Sequence, residues 1–189
     1  MYRGLIHFHS VHSYDSMLGI NEIARFAVKN KLNFLVLTDH DRIAGSVALR
    51  SYFEQNNIEI EVILAAEYKT EYGDVIALGI SREINDMKFS NFVKEVRGQG
   101  GILLFPHPYV GHNNIDLIAK ASDMIEVFNA RASDECNHNA VVLANKWGKK
   151  IYYSSDAHTH KSLGNSIVEF ERRSSLIDSL LNSDIRQVT

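Results

Sequence analysis

Short, largely apolar runs recur along this chain, and nearly every one ends in a histidine or a carboxylate. Leu5-Ile6 leads into His7-Phe8-His9, residues 34–37 into Thr38-Asp39-His40-Asp41, residues 58–66 into Glu67, and residues 102–105 into Pro106-His107-Pro108. Residues 124–128 end in Asn129, and residues 151–153 run into Ser154-Ser155-Asp156-Ala157-His158. Such runs suit strands buried on both faces, the condition of a parallel sheet. Between them the apolar spacing becomes helical over residues 20–28, 44–56, 89–96, 114–121, 133–147 and 175–181, with a further strand near 167–170. The glycines of Gly98-Gln99-Gly100-Gly101 and Gly148 stand where helices end. Residues 68–72 and 74–80, flanking Gly73, read as a hairpin or as a strand with a bend.

Alternating strands and helices predict a parallel sheet covered by helices. With polar residues at the strand ends, both a closed barrel and an open doubly wound sheet place their sites at that edge. The repeats are shorter than those of a standard eight-fold barrel, so the expectation is a smaller, distorted barrel in one domain, residues 1–189. The net charge of −3 gives no global basic field for nucleic acid. One cysteine, Cys136, excludes an intramolecular disulfide and a cysteine-based zinc site. No apolar run approaches the ~20 residues needed to span a bilayer. With a strand pattern starting at once, the expectation is a cytoplasmic protein with no signal peptide and no membrane partner.

The chemistry lies in the phase between ligand-type residues and strand ends. Alternation on a strand puts His7 and His9 on one face, with Leu5 behind them and Ile6 and Phe8 on the other. His40, Glu67, His107, Asp156 and His158 stand at or just after other strand ends, and Asp15 lies in the loop after the first strand. Several segments thus deliver imidazole and carboxylate donors to one sheet edge, a set suited to zinc, manganese or iron. One ion is filled by about four such groups, so this number implies at least two ions. Multinuclear sites of this kind activate water and neutralise phosphoryl or acyl oxygens.

Taken in order, His7-Phe8-His9-Ser10 with Ser13, Asp15 and Ser16, then Thr38-Asp39-His40-Asp41, Glu67, Pro106-His107-Pro108 and Ser155-Asp156 with His158 resemble the motifs of the polymerase and histidinol phosphatase (PHP) superfamily. The resemblance runs from residue 5 to about residue 160. It implies an α/β fold, a distorted (β/α)7 TIM-like barrel with the metal site at the C-terminal ends of the strands. It also implies two to three divalent ions (Zn, Mn or Fe) and cleavage of phosphate esters by a metal-bound hydroxide. The ligand division it implies gives the first ion to His7, His9, Glu67 and Asp156. Glu67 would bridge to a second ion shared with His107, and Asp15, His40 and His158 would hold a third. The family usually has a histidine after the strand that bears the glutamate. Here Gly73-Asp74-Val75-Ile76 stands instead, and Asp74 is expected as a carboxylate ligand of the second ion.

His112 is the candidate contact to substrate phosphate or proton donor to the leaving oxygen, and Arg131 the candidate grip on phosphate. Asp39 is expected to orient an imidazole and Asp41 to cap the following helix. The expected substrate is a small or terminal phosphate ester, because no long insert lies between Glu67 and His107 to form a cap. Rival readings are a nuclease or proofreading-type domain acting on nucleic-acid ends, a non-catalytic metal-binding module, and an amidohydrolase.

Overall fold

The computed structural model describes residues 1–188. Its elements run β1 (Tyr2–Ile6), α1 (Ile20–Lys29), β2 (Phe34–Val36), α2 (Ala44–Gln55), β3 (Glu61–Val62), β4 (Ala65–Thr70), β5 (Gly73–Leu78), α3 (Phe89–Gly98), β6 (Ile102–Phe105), α4 (Ile115–Ala121), β7 (Met124–Asn129), α5 (Asp134–Trp147), β8 (Lys150–Ser154), β9 (Val168–Phe170), α6 (Leu176–Asn182) and β10 (Arg186–Gln187). Two five-stranded sheets form, in the orders β10-β9-β1-β2-β3 and β4-β5-β6-β7-β8. The β1–β2, β2–β3, β6–β7 and β7–β8 pairs are parallel, and the remaining pairs antiparallel.

Strand alternation sorts the side chains into three apolar layers. Leu5, Phe8, Leu35 and Leu37 pack outward against Ile23, Ala24 and Ala27 of α1 and Leu49 and Phe53 of α2. Tyr68, Val75, Leu103, Phe105 and Ile125 pack outward against α3, α4 and α5. Ile6, Phe34, Val36, Ala65, Ile76, Leu78, Leu104, Met124 and Tyr152 face the space between the sheets, which Leu176 and Leu180 of α6 help fill. Burying apolar surface on both faces of each sheet is what the largely apolar runs require.

The expected closed barrel does not form as one continuous sheet among the described residues. The sheets meet through two isolated parallel bridges, Phe8 to Ala157 and His40 to Glu67. Both bridges lie at the strand ends that carry the candidate ligands. Away from that end, β9 occupies the other edge of β1, antiparallel to it, and β3 occupies the far edge of β2.

Several boundaries differ from the sequence reading. The single strand expected over 58–66 is two, β3 and β4, and Glu67 lies inside β4 rather than at its end. β4 continues because β5 returns antiparallel to it, pairing Glu67 with Ile76 and Thr70 with Gly73. The segments flanking Gly73 therefore form a hairpin, with Gly73 at φ 120°, a backbone region open to glycine. A short 3-10 helix at His160–Asn165 and the terminal β10 carry no clear periodic signal. Asp41 does not cap α2, whose N-cap is Ile43 with no side-chain cap bond; the Asp41 carboxylate accepts instead from the backbone N–H of Lys69 at 3.2 Å.

Candidate metal centre

His7 and His9 project together, their ring centroids 5.4 Å apart, but not by simple alternation. β1 ends at Ile6, and His7 has φ 60°. This left-handed residue resets the phase, so Ile6 and His7 both face inward while Leu5 joins Phe8 outside, contrary to the arrangement expected from the sequence. His107 and Asp156, just beyond β6 and β8, also have positive φ, 27° and 45°. Such backbone costs about 1–3 kcal/mol per residue and persists where surrounding bonds hold it. Here they do. Asp156 N–H donates to the His7 carbonyl at 3.1 Å, and His107 N–H donates to Glu126 Oε2 at 2.7 Å.

Around a common point, His9 Nε2 lies 3.2 Å from Glu67 Oε2 and 3.4 Å from Asp156 Oδ1, and His7 Nε2 lies 3.5 Å from each of the same oxygens. Both Nε2 atoms are buried and have no hydrogen-bond partner of good geometry. On one side, His107 Nε2 is 3.0 Å from Glu67 Oε1. On the other, Asp15 Oδ2 is 3.1 Å from His158 Nε2 and 3.4 Å from His40 Nε2. Donor atoms within 4.8 Å of one another form the groups His9-Asp15-His40-His158, His7-His9-Asp156, His7-Glu67-His107 and Asp74-His107-His112. Every residue expected from the sequence as a metal ligand falls in at least one of them.

The electrostatics show what this cluster lacks when only protons balance it. Burial disfavours protonated His7, yet the Glu126, Glu67 and Asp156 carboxylates outweigh it and raise its pKa well above the ordinary value. For His9, burial is likewise overcome by Asp156 and Glu67, and its pKa rises to about 9. Burial would raise Glu67, but His7, His107 and His9 hold its carboxyl well below the usual range; Asp156 is lowered in the same way by His7 and His9. Buried carboxylates facing imidazole lone pairs form a site for cations, and divalent ions fit the nitrogen and oxygen donors present.

Buried carboxylates and a hydroxyl fix the imidazoles from behind. Glu126 Oε1 accepts from His7 Nδ1 at 2.8 Å, so His7 turns Nε2 to the cluster, where a bound cation would take its lone pair in place of a proton. Glu126 is 1% exposed, and its second oxygen accepts from His107 N–H and, at 2.9 Å, from Asn129 Nδ2. Asn129 Nδ2 also reaches Asp156 Oδ2 at 3.2 Å. Sequence reasoning passed over Glu126. The available signal was a carboxylate inside the apolar run Met124-Ile125-Glu126-Val127-Phe128, where only a paired charge is stable. A register shift between Glu126 and Phe128 lets Glu126 and Asn129 face the same side. Asp39 orients an imidazole as expected, but that of His9 and through Ser13: His9 Nδ1 lies 3.2 Å from Ser13 Oγ, which donates to Asp39 Oδ1 at 2.9 Å.

A cavity of about 220 Å³ opens above the cluster, lined by His40, Glu67, Asp74, His107, Asn129, Arg131, Asp156 and His158 together with Val110 and Ala132. Arg131 is exposed, with Nη1 2.9 Å from His158 Nδ1 and 3.6 Å from Asp156 Oδ1. Tyr14, 88% exposed, stacks on His40 at 5.2 Å. His112 is not on the cavity wall. Its Nε2–H donates to the Asp74 carbonyl at 2.9 Å, its Nδ1 is buried, and burial lowers its pKa.

A family model described as PHP-associated matches residues 134–186, the segment that carries Asp156 and His158. An uncharacterized protein of Methanocaldococcus jannaschii is 28% identical over 157 residues, covering 79% of this chain and 88% of that protein. Among solved structures, a two-domain protein of Bacteroides vulgatus containing a predicted PHP-like metal-dependent phosphoesterase superposes with a TM-score of 0.82 at 16% identity. It covers 99% of this chain, which spans 64% of that protein. A Chromobacterium violaceum protein called an amidohydrolase, solved with sulfate and no metal, gives 0.62 at 17% identity, covering 82% of this chain and 87% of that one. These two solved structures share the fold.

Proposed function

We propose that this chain, whose placement in the PHP superfamily rests on its ordered motifs, the PHP-associated match and the shared fold, hydrolyses phosphate esters with two to three divalent ions (zinc, manganese or iron). The observation that carries the reading is convergence. Donors from the end of β1, the loop after it, the end of β2, β4, β5, the end of β6 and the end of β8 meet in one cluster beside the cavity, with no sulfur among them. The same reading takes β1, β2 and β4 to β8 as a barrel drawn together at the site end by the Phe8–Ala157 and His40–Glu67 bridges.

His7, His9, Glu67 and Asp156 would hold one ion. Glu67, His107 and Asp74 would hold a second, and Asp15, His40 and His158 a third. When bound, such ions supply an acidified water and positive charge against phosphoryl oxygens. The chain's own groups do the rest. Glu126 and the Ser13–Asp39 pair keep the His7 and His9 lone pairs facing the ions. Arg131, at the cavity wall, binds and neutralises the phosphoryl oxygens, as transfer of that group requires. The cavity of about 220 Å³ has room for a phosphoryl group. The alcohol portion would lie over the rim, where Tyr14, Tyr109 and Val110 are exposed, which favours a small or terminal phosphate.

The opening to solvent favours catalysis over a purely structural metal site, because structural sites are ligand-saturated and closed. A fold neighbour called an amidohydrolase motivates amide or ester cleavage as the second reading. Among the described residues no helix is long and apolar enough to cross a membrane. The test strips the protein with a chelator and reloads it with Mn²⁺, Zn²⁺ or Fe²⁺. It is then assayed on phosphomonoesters, phosphodiesters, short nucleic acids and an amide, with His9→Ala beside the wild type. Metal-restored phosphoester turnover lost in His9→Ala supports the reading. Equal rates in both proteins, or turnover of the amide alone, refute it.

A further inference from the structure

His112 comes from the loop after β6, five residues beyond His107, and the phosphoesterase reading leaves it without a role. In this structure the His112 Nε2–H is committed to the Asp74 carbonyl at 2.9 Å and its Nδ1 is buried, so neither nitrogen turns an N–H to the cavity.

The same facts suit coordination. Donation from Nε2 fixes the tautomer in which Nδ1 carries the lone pair, the usual way a backbone carbonyl orients a metal-bound imidazole. That Nδ1 has no hydrogen-bond partner of good geometry, with only the Val110 backbone near it, and His107 Nδ1 has none either. The His107 and His112 rings lie 5.4 Å apart, and one donor atom each from Asp74, His107 and His112 lies within 4.8 Å of the others. Ligands of one zinc ion, each at about 2.0–2.2 Å, stand somewhat closer than this, so a shift of about an ångström completes the site. His107 also touches Glu67 at 3.0 Å, which joins this group to the rest of the cluster.

We infer that His112 is a metal ligand, binding through Nδ1 beside Asp74 and His107 at the second ion position. The inference rests on the metal-dependent reading of the centre and adds a donor from a loop that reading did not use. Asp74 and His112 then act as a pair: the hairpin supplies the carboxylate, and its backbone carbonyl sets the histidine that stands beside it.

The rival role is packing. The His112 ring sits against Gly73, where any Cβ would collide with it. His112→Gln separates the two roles, because the glutamine amide places an N–H where Nε2–H now meets the Asp74 carbonyl and offers nothing at Nδ1. Chelator-stripped wild type, His112→Gln and Asp74→Asn would be titrated with Co²⁺ by calorimetry and visible absorption. The expected result is that both variants weaken the same equivalent of Co²⁺ at least tenfold and leave the others within about twofold. In a second measurement, His112→Cys loaded with Co²⁺ should show a sulfur-to-cobalt charge-transfer band that the wild type, with Cys136 present, lacks.

Wild-type affinity for every equivalent in His112→Gln overturns the assignment, as does a Co²⁺-loaded His112→Cys without the band. A wild type that binds no Co²⁺ overturns the metal-dependent reading and this inference with it. Normal wild-type binding combined with an unaffected His112→Gln removes the inference alone.

Discussion

Glu126→Gln separates the shape of the buried network from its charge. The carboxylate now faces three N–H donors, from His7 Nδ1 at 2.8 Å, His107 N at 2.7 Å and Asn129 Nδ2 at 2.9 Å. A carboxylate is acceptor-only and meets all three. An amide has one oxygen and one NH₂, so at least one donor must face another N–H. If the NH₂ turns to His7, the imidazole shifts its proton to Nε2, and the lone pair facing the cluster is lost. If it turns the other way, the buried His107 and Asn129 donors go unpaired, at about 1–3 kcal/mol each. In either case the expected loss of metal affinity is about 10–100-fold, the usual effect of removing a carboxylate behind a ligating histidine. At about 1.4 kcal/mol per tenfold, that is about 1.4–2.8 kcal/mol. The assay is Zn²⁺ titration against a chromophoric chelator, with ¹⁵N chemical shifts of His7 reporting which ring nitrogen carries the proton. Binding within twofold of wild type with an unchanged His7 tautomer would refute the argument.

Other outcomes follow from the same geometry. His7 and His9 have raised folded pKa values, so their contribution to metal-free stability is full below about 6.5 and fades as pH rises, for His9 through about 9. Metal must displace those protons, so the thermal stabilisation produced by Zn²⁺ should grow between pH 6.5 and 9 while the metal-free melting temperature falls; scanning fluorimetry with and without chelator reads both, and a flat metal-free profile counts against the buried ion pairs. Gly45→Ala would place its Cβ against the Asp39 carboxylate and Ser10 Oγ, and should destabilise by about 1–3 kcal/mol in chemical denaturation as Asp39 is pushed off Ser10 and Ser13. Arg131→Ala should lower kcat/KM for phosphate esters by about 10–100-fold, a charged hydrogen bond being worth about 1.5–3 kcal/mol, while leaving metal stoichiometry intact; loss of metal instead would make Arg131 part of the metal cluster.

The candidate centre was legible because ligand chemistry is local. A histidine or carboxylate at the end of an apolar run is visible one segment at a time, and His7, His9, His40, His107, Asp156 and His158 announced themselves in that way. Glu126 and Ser13 were harder to see because their part is defined by the atoms behind the ligands, which belong to other elements. Glu67 was placed at a strand end because nothing local showed that β4 would continue into a hairpin with β5.

The amino-acid order alone determined the strand–helix alternation, the buried character of the strands and the set of nitrogen and oxygen donors, since each depends on residue type and near-neighbour spacing. Tertiary structure decided how strand phases meet. The left-handed His7 turns two consecutive residues inward, the register shift in β7 brings Asn129 beside Glu126, and two bridges rather than a continuous ladder join the sheets at the site. Those outcomes arise from hydrogen bonds between segments far apart in the chain, which no window of the sequence contains.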